Sequence, residues 1–197
     1  MKNKTLYIIL GIAALLLIPG ACNYNRFVNR EEGVSTAWGY VQSAYQRRAD
    51  LIPNLVNTVK GAASFEKETL ESVMAARAEA SKINITADQL SEENLAKFQA
   101  AQSQLSSGIG RLLAVAENYP TLQAVQGYRD LMVSLDETEN RIKAERDKFN
   151  SAVKDYNVAV RRFPGNIYAS LFGFEKKAAF QADAGAEKAP KVEFNKP

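Results

Sequence analysis

The sequence predicts an all-α protein: an elongated antiparallel helical bundle of about four helices, the first kinked, after an N-terminal membrane segment. Three observations predict it. Apolar side chains recur at alternating steps of three and four over long stretches, the spacing of one helix face. Punctuation is sparse, with 6 Pro and 11 Gly in 197 residues. The chain also opens on an uncharged apolar run from Leu6 to Ala21, which favours a bilayer over a soluble core.

Taken in order, Lys2 and Lys4 precede the run LYIILGIAALLLIPGA, which ends at Cys22 and gives way to polar sequence at Asn23. A spanning helix needs about 20 apolar residues, with a lower end near 17, so residues 1–22 read first as a single-pass anchor. The second reading is a lipoprotein signal. Gly20 and Ala21 directly precede Cys22, the candidate lipidation residue, although Pro19 stands where such signals usually carry an aliphatic side chain. Cleavage of a plain signal peptide is the third. The first two make membrane lipid a partner, and Lys2 and Lys4 against Arg26 and Arg30 bias the N-terminus slightly toward the cytoplasm. The bulk of the chain is then expected outside it.

Residues 23–181 read as the bundle. Val34, Trp38, Val41, Tyr45, Ile52, Leu55, Val59 and Ala62 trace one helix face. Pro53 lies inside it, lacking an N–H and crowding the carbonyl of Ala49, which predicts a bend instead of a break. A Glu-, Ala- and Lys-rich stretch, 66–82, buries Leu70, Val73 and Ala80 and either follows or continues this helix. Residues 83–91 form a connection, with Ser91 and Asn94 offering an imperfect capping box. Leu95, Phe98, Leu105, Ile109, Leu112, Ala116 and Tyr119 mark the next helix, stopped by Pro120. Pro120 then starts the last helix, which carries Tyr128, Met132, Leu135, Ile142, Phe149, Val153, Tyr156, Val160 and Phe163 and ends at Pro164-Gly165. The aromatic-rich stretch 166–180 is expected to fold back, and the Ala-, Lys- and Pro-rich 182–197 to be a disordered tail.

Three charges interrupt the stripes: Arg48 in the first helix, and Glu139 and Arg146 in the last. A buried charge without a partner costs several kcal/mol, so Arg48 is expected to meet a carboxylate such as Glu139 across an antiparallel pair, forming a buried polar layer that sets register. A ligand site inside the bundle is the competing reading. Trp38 reads as core, while the cluster Tyr168, Phe172 and Phe174 is open between core and binding surface.

Composition narrows the chemistry. The chain has no His and one Cys, which removes Ser-His-Asp and Cys-His catalysis, His-ligated zinc and any CxxC pair. No enzyme activity, cofactor, metal or small-molecule substrate is predicted. Twenty-five Lys and Arg against 22 Asp and Glu leave a net charge of +3, interleaved and not clustered, so no nucleic-acid partner is predicted.

The stretch Tyr45 to Gly61 (YQRRADLIPNLVNTVKG), with Tyr24-Asn25, Ala75-Ala76-Arg77-Ala78, Ala116-Glu117-Asn118-Tyr119-Pro120, Glu139-Asn140-Arg141-Ile142 and Phe163-Pro164, resembles the LemA family of bacterial membrane-associated proteins. The resemblance implies a long antiparallel bundle on a tether and a family without an established reaction. The expected role is an envelope interaction or scaffold module with protein partners, for which the tail segment Pro190 to Phe194 offers a strand-forming peptide. The alternative is a lipid-binding or membrane-shaping protein acting through basic helix faces such as Arg47-Arg48 and Arg161-Arg162.

Overall fold

The computed structural model describes residues 2–61 and 67–181; within 2–19, only Tyr7 is described beyond its backbone. Six α-helices and one 3-10 turn form the described residues, with no strand among them: α1 (Lys2–Lys60), α2 (Lys67–Lys82), the turn Ala87–Gln89, α3 (Glu92–Ala116), α4 (Pro120–Gln123), α5 (Gln126–Arg161) and α6 (Gly165–Phe172).

Contacts along α1 give the topology. Arg77 of α2 reaches back to Ala49. Phe98 of α3 packs on Trp38 and Tyr45, and Gln102 meets Arg48. Glu139, Phe149 and Asp155 of α5 meet Arg48, Trp38 and Arg30 in turn. The four long helices therefore alternate in direction, an antiparallel bundle joined by short connections.

Among the described residues the helices are six and not about four, because the last one is split and the fold-back segment forms a helix of its own. Pro120 does start a helix, but Val125 is extended (φ −72, ψ 123) and ends α4 after one turn, so α5 begins afresh at Gln126. The 66–82 stretch is a separate helix that doubles back and does not continue α1. α1 runs from Lys2 to Lys60 without a break at Pro53, as expected, and continues through Cys22. Among the described residues no helix is long and apolar enough to cross a membrane. The membrane-segment reading rests on side chains outside the described residues, as do Ala62 of the first stripe and the tail 182–197.

The apolar faces fill two cores. One holds Phe27, Trp38, Tyr45, Phe98, Ile142, Phe149 and Tyr156; the other holds Ile52, Leu55, Val59, Val73, Leu105, Leu112 and Leu135. Between them on α1 lies Arg48, only 2% exposed. Connection 83–91 closes the first core: the Trp38 indole donates to the Ile85 carbonyl at 2.7 Å, and Ser91 caps α3 by accepting from the Asn94 N–H.

Beyond α5 the chain turns at Gly165, where a Cβ would lie 2.7 Å from the Ala159 carbonyl oxygen, so only glycine permits the approach. α6 then packs on the first turns after Gly20 of α1 and ends at Gly173, whose left-handed φ of 77° completes the cap to Ala169. Residues 174–181 run on in extended form as a strap along α5.

Candidate functional site

The polar layer between the cores is built from Arg48. One Nη donates to Ser106 Oγ at 2.7 Å and Glu139 Oε1 at 2.8 Å; the other donates to the Gln102 side chain at 2.6 Å and the Gln102 carbonyl at 3.2 Å. A single guanidinium thus joins α1 to α3 and α5, using the rigid fork that distinguishes Arg from Lys. Its Cζ stands 5.1 Å from the centroid of the Tyr45 ring, and its Nε is buried without a hydrogen-bond partner. A cleft of about 190 Å³ opens beside it, lined by Tyr45, Gln102, Ser106, Glu139 and Arg146.

The structure places the three singled-out charges differently. Arg48 is buried, but the Glu139 side chain is 48% exposed, and Arg146, which lines the same cleft, lies over the Phe180 ring, 4.6 Å from its centroid. Glu139 and Arg146 are therefore rim residues and not part of a buried layer. The buried positions of α5 are Tyr128, Leu135, Thr138, Ile142, Glu145, Phe149, Val153, Tyr156, Ala159 and Val160. The seam falls one residue before each of the two charges, at Thr138 and Glu145. Thr138 turns its hydroxyl to the Ser134 carbonyl at 2.7 Å, and Glu145 pairs with Lys148 at 3.0 Å.

A second arginine, which the spacing of apolar residues did not point to, follows from Pro53. Without an N–H, Pro53 leaves the Ala49 carbonyl without its helical donor. Arg77 of α2 supplies one through Nε at 2.7 Å, with Asp50 4.0 Å from its Nη2. The signal was present in the sequence as a proline on a buried helix and a basic residue in an Ala-rich partner, but only the fold brings them together.

The strap is the third component. Asn157 accepts from the Lys177 N–H at 2.9 Å and donates to the Lys177 carbonyl at 2.8 Å; Asn150 does the same for Phe180, at 2.9 and 3.2 Å. Seven residues of helix rise about 10.5 Å, and three residues of extended chain cover about 10 Å, so one amide per two helical turns meets every third strap residue. Phe180 enters the first core against Trp38 and Phe149. Lys177 pairs with Glu31 at 2.8 Å, and the Gln181 carbonyl accepts from Gln99 at 3.2 Å. Cys22 is exposed and free; Tyr24 packs on Phe172 and Phe174, with centroids 5.3 and 5.7 Å away, so the C-terminal aromatics are partly core.

Comparisons with known proteins give the family. The model of the LemA family matches residues 37–194. Magnetosome protein MamQ 2 of Paramagnetospirillum magneticum is 30% identical over 198 residues, covering 92% of this chain and 71% of that protein. Magnetosome protein MamQ of Magnetospirillum gryphiswaldense is 28% identical, covering 91% and 74%, and Protein LemA of Metamycoplasma hominis is 27% identical, covering 80% and 68%. The family match spans Arg48, Pro53, Arg77, both strap asparagines and the strap itself, and on that footing the chain belongs to the LemA family.

Proposed function

We propose that this chain is a membrane-tethered, non-catalytic scaffold whose bundle stands outside the cytoplasm and presents its C-terminal tail to envelope proteins. The clamped strap carries the reading. A scaffold that offers a peptide must hold the root of that peptide, and the four hydrogen bonds from Asn150 and Asn157 do so up to Gln181. The interior polarity supports it as well, since all four Arg48 Nη contacts are spent on other helices, the pattern of register-setting groups. The tether is the apolar run Leu6–Ala21, or an acyl chain on Cys22. Names of the magnetosome relatives give a place and not a reaction, in keeping with this role.

The test is crosslinking of the full chain in its native membrane beside a form ending at Gln181, with captured proteins identified by mass spectrometry. Reproducible partners that disappear with the tail are expected. Partners retained in full by the truncated form, or lipid adducts alone, would refute tail presentation.

A further inference from the structure

The outer side of α6 leaves a stripe of large apolar residues without a partner. Ile167 and Leu171, one turn apart, are 57% and 73% exposed, and Phe163, in the turn that leads into α6, is 76% exposed. Three such side chains on one short segment are more than the scattered exposure of an ordinary surface. The inner side of α6 locates the stripe. A Cβ at Gly20 would lie 3.3 Å from the Tyr168 ring, and one at Gly165 would lie 3.4 Å from Phe27. α6 therefore sits against α1 between Gly20 and Phe27, where the apolar run ends.

We propose that α6 is an interfacial helix that lays Phe163, Ile167 and Leu171 into the lipid bilayer beside the tether. This rests on the tethered reading above and adds a second membrane contact to it. The lengths agree. The run Leu6–Ala21 has 16 residues, about 24 Å of helix, against a hydrocarbon core of about 30 Å. The shortfall of about 6 Å corresponds to four residues, which puts the level of Cys22 to Asn25, and with it α6, at the edge of the hydrocarbon. Flanking residues fit the same level. Tyr24, 45% exposed, follows the run as interfacial aromatics do. Arg161 and Arg162, both exposed, directly precede Phe163 in the chain, and Arg26 is exposed on the part of α1 that meets α6; these charges suit anionic headgroups. An acyl chain on Cys22 in place of the span would bring the bilayer to the same end of the bundle.

The proposal is tested on the full chain with Leu171→Trp, reconstituted in vesicles of phosphatidylcholine containing a quarter phosphatidylglycerol, with part of the lipid brominated in its acyl chains. Trp38 is 1% exposed and 18 residues beyond Gly20, about 27 Å along the helix, so it gives an unquenched background and reports the fold. Tyr40→Trp, at a position 55% exposed on the bundle, is the aqueous control, and Leu15→Trp reports the tether. Blue-shifted emission at 171, quenched at least twofold by brominated lipid while position 40 is unaffected, is the expected result. Water-like, unquenched emission at 171 with position 15 quenched would overturn the interfacial helix and leave the tether standing. Blue-shifted but unquenched emission would overturn it in favour of a protein covering the stripe, such as a second copy. Absence of quenching at both 15 and 171 would remove the tether and the inference with it.

Discussion

Pro53 and Arg77 show how one residue's missing proton is made good by another helix. The Ala49 carbonyl, deprived of its i+4 donor, is satisfied only by Arg77 Nε at 2.7 Å, and an ionic donor to a half-buried carbonyl contributes about 1–2 kcal/mol. Arg77→Ala should therefore cost about that much in denaturant unfolding. In a Pro53→Ala background, the new N–H restores the ordinary helical bond, and the same Arg77→Ala change should cost less than about 0.5 kcal/mol. Equal costs in the two backgrounds would show that Arg77 acts elsewhere. Tyr156 carries a second residue-scale consequence. Burial first, then Glu31 and Glu175, push its phenol from 10.0 up to about 12. The folded state keeps the proton that the unfolded chain gives up, so this contribution is fully present below about pH 10 and is lost as pH rises through about 12. The two-unit shift corresponds to at most about 3 kcal/mol. Unfolding free energies of Tyr156→Phe, followed across this window, should fall less steeply than those of the parent chain; parallel curves would mean the phenol plays no part.

At the scale of elements, the strap depends on a match of two repeats, and the match makes a prediction. Asn150→Ala with Asn157→Ala removes all four clamp bonds and leaves the packing of α5 on α1 in place. The amides of Lys177 and Phe180, bonded only to these side chains among the described contacts, should lose hydrogen-exchange protection by about tenfold to a hundredfold, or about 1–3 kcal/mol for two lost clamps. Amides in the middle of α5 should exchange as before. Protection retained at 177 and 180 would mean that Phe180 packing alone holds the strap. Reading the sequence did not reveal this clamp, because asparagines on a helix carry no signal until an extended segment lies beside them. The helices themselves were legible wherever the seam is apolar: Trp38, Val41, Tyr45 and Ile52 in α1, and Phe98, Leu105, Ile109 and Leu112 in α3, are all buried. On α5 two seam positions are Thr138 and Glu145, residues with little apolar signal, so a stripe drawn through apolar side chains drifted there by one residue and took in Glu139 and Arg146, while Val153, Tyr156 and Val160 lie buried where the spacing put them. The split before α5 was hidden for a similar reason. Pro120 announces a helix start, whereas Val125, extended and 46% exposed, is not a turn-forming residue and carries no stop signal.

For the whole molecule, the question is why an elongated bundle interrupts its core with Arg48. The guanidinium lies where the Trp38–Phe149 core ends and the Ile52–Leu105 core begins, and it binds α3 and α5 to α1 at one level. Sliding either helix by one turn, about 5.4 Å, would keep apolar residues in contact but would strip Arg48 of its acceptors, so the layer selects one register among several similar packings. This gives opposite expectations for two variants. Arg48→Ala opens a cavity and leaves the buried Gln102 side chain without its partner, and should cost about 1–3 kcal/mol, the range for a buried polar group left unsatisfied, because the half-exposed Glu139 carboxylate returns to water. Arg48→Met with Gln102→Leu and Glu139→Leu replaces the whole layer by apolar volume, and should be neutral or more stable by about 1–4 kcal/mol, with register as the property lost. Distances between spin labels on α1 and α5 should then broaden into more than one population. If the triple variant instead keeps a single distance and full stability yet loses proteins that the parent chain captures in the crosslinking test, the cleft beside Arg48 is a contact surface, and the layer is retained for binding and not for register.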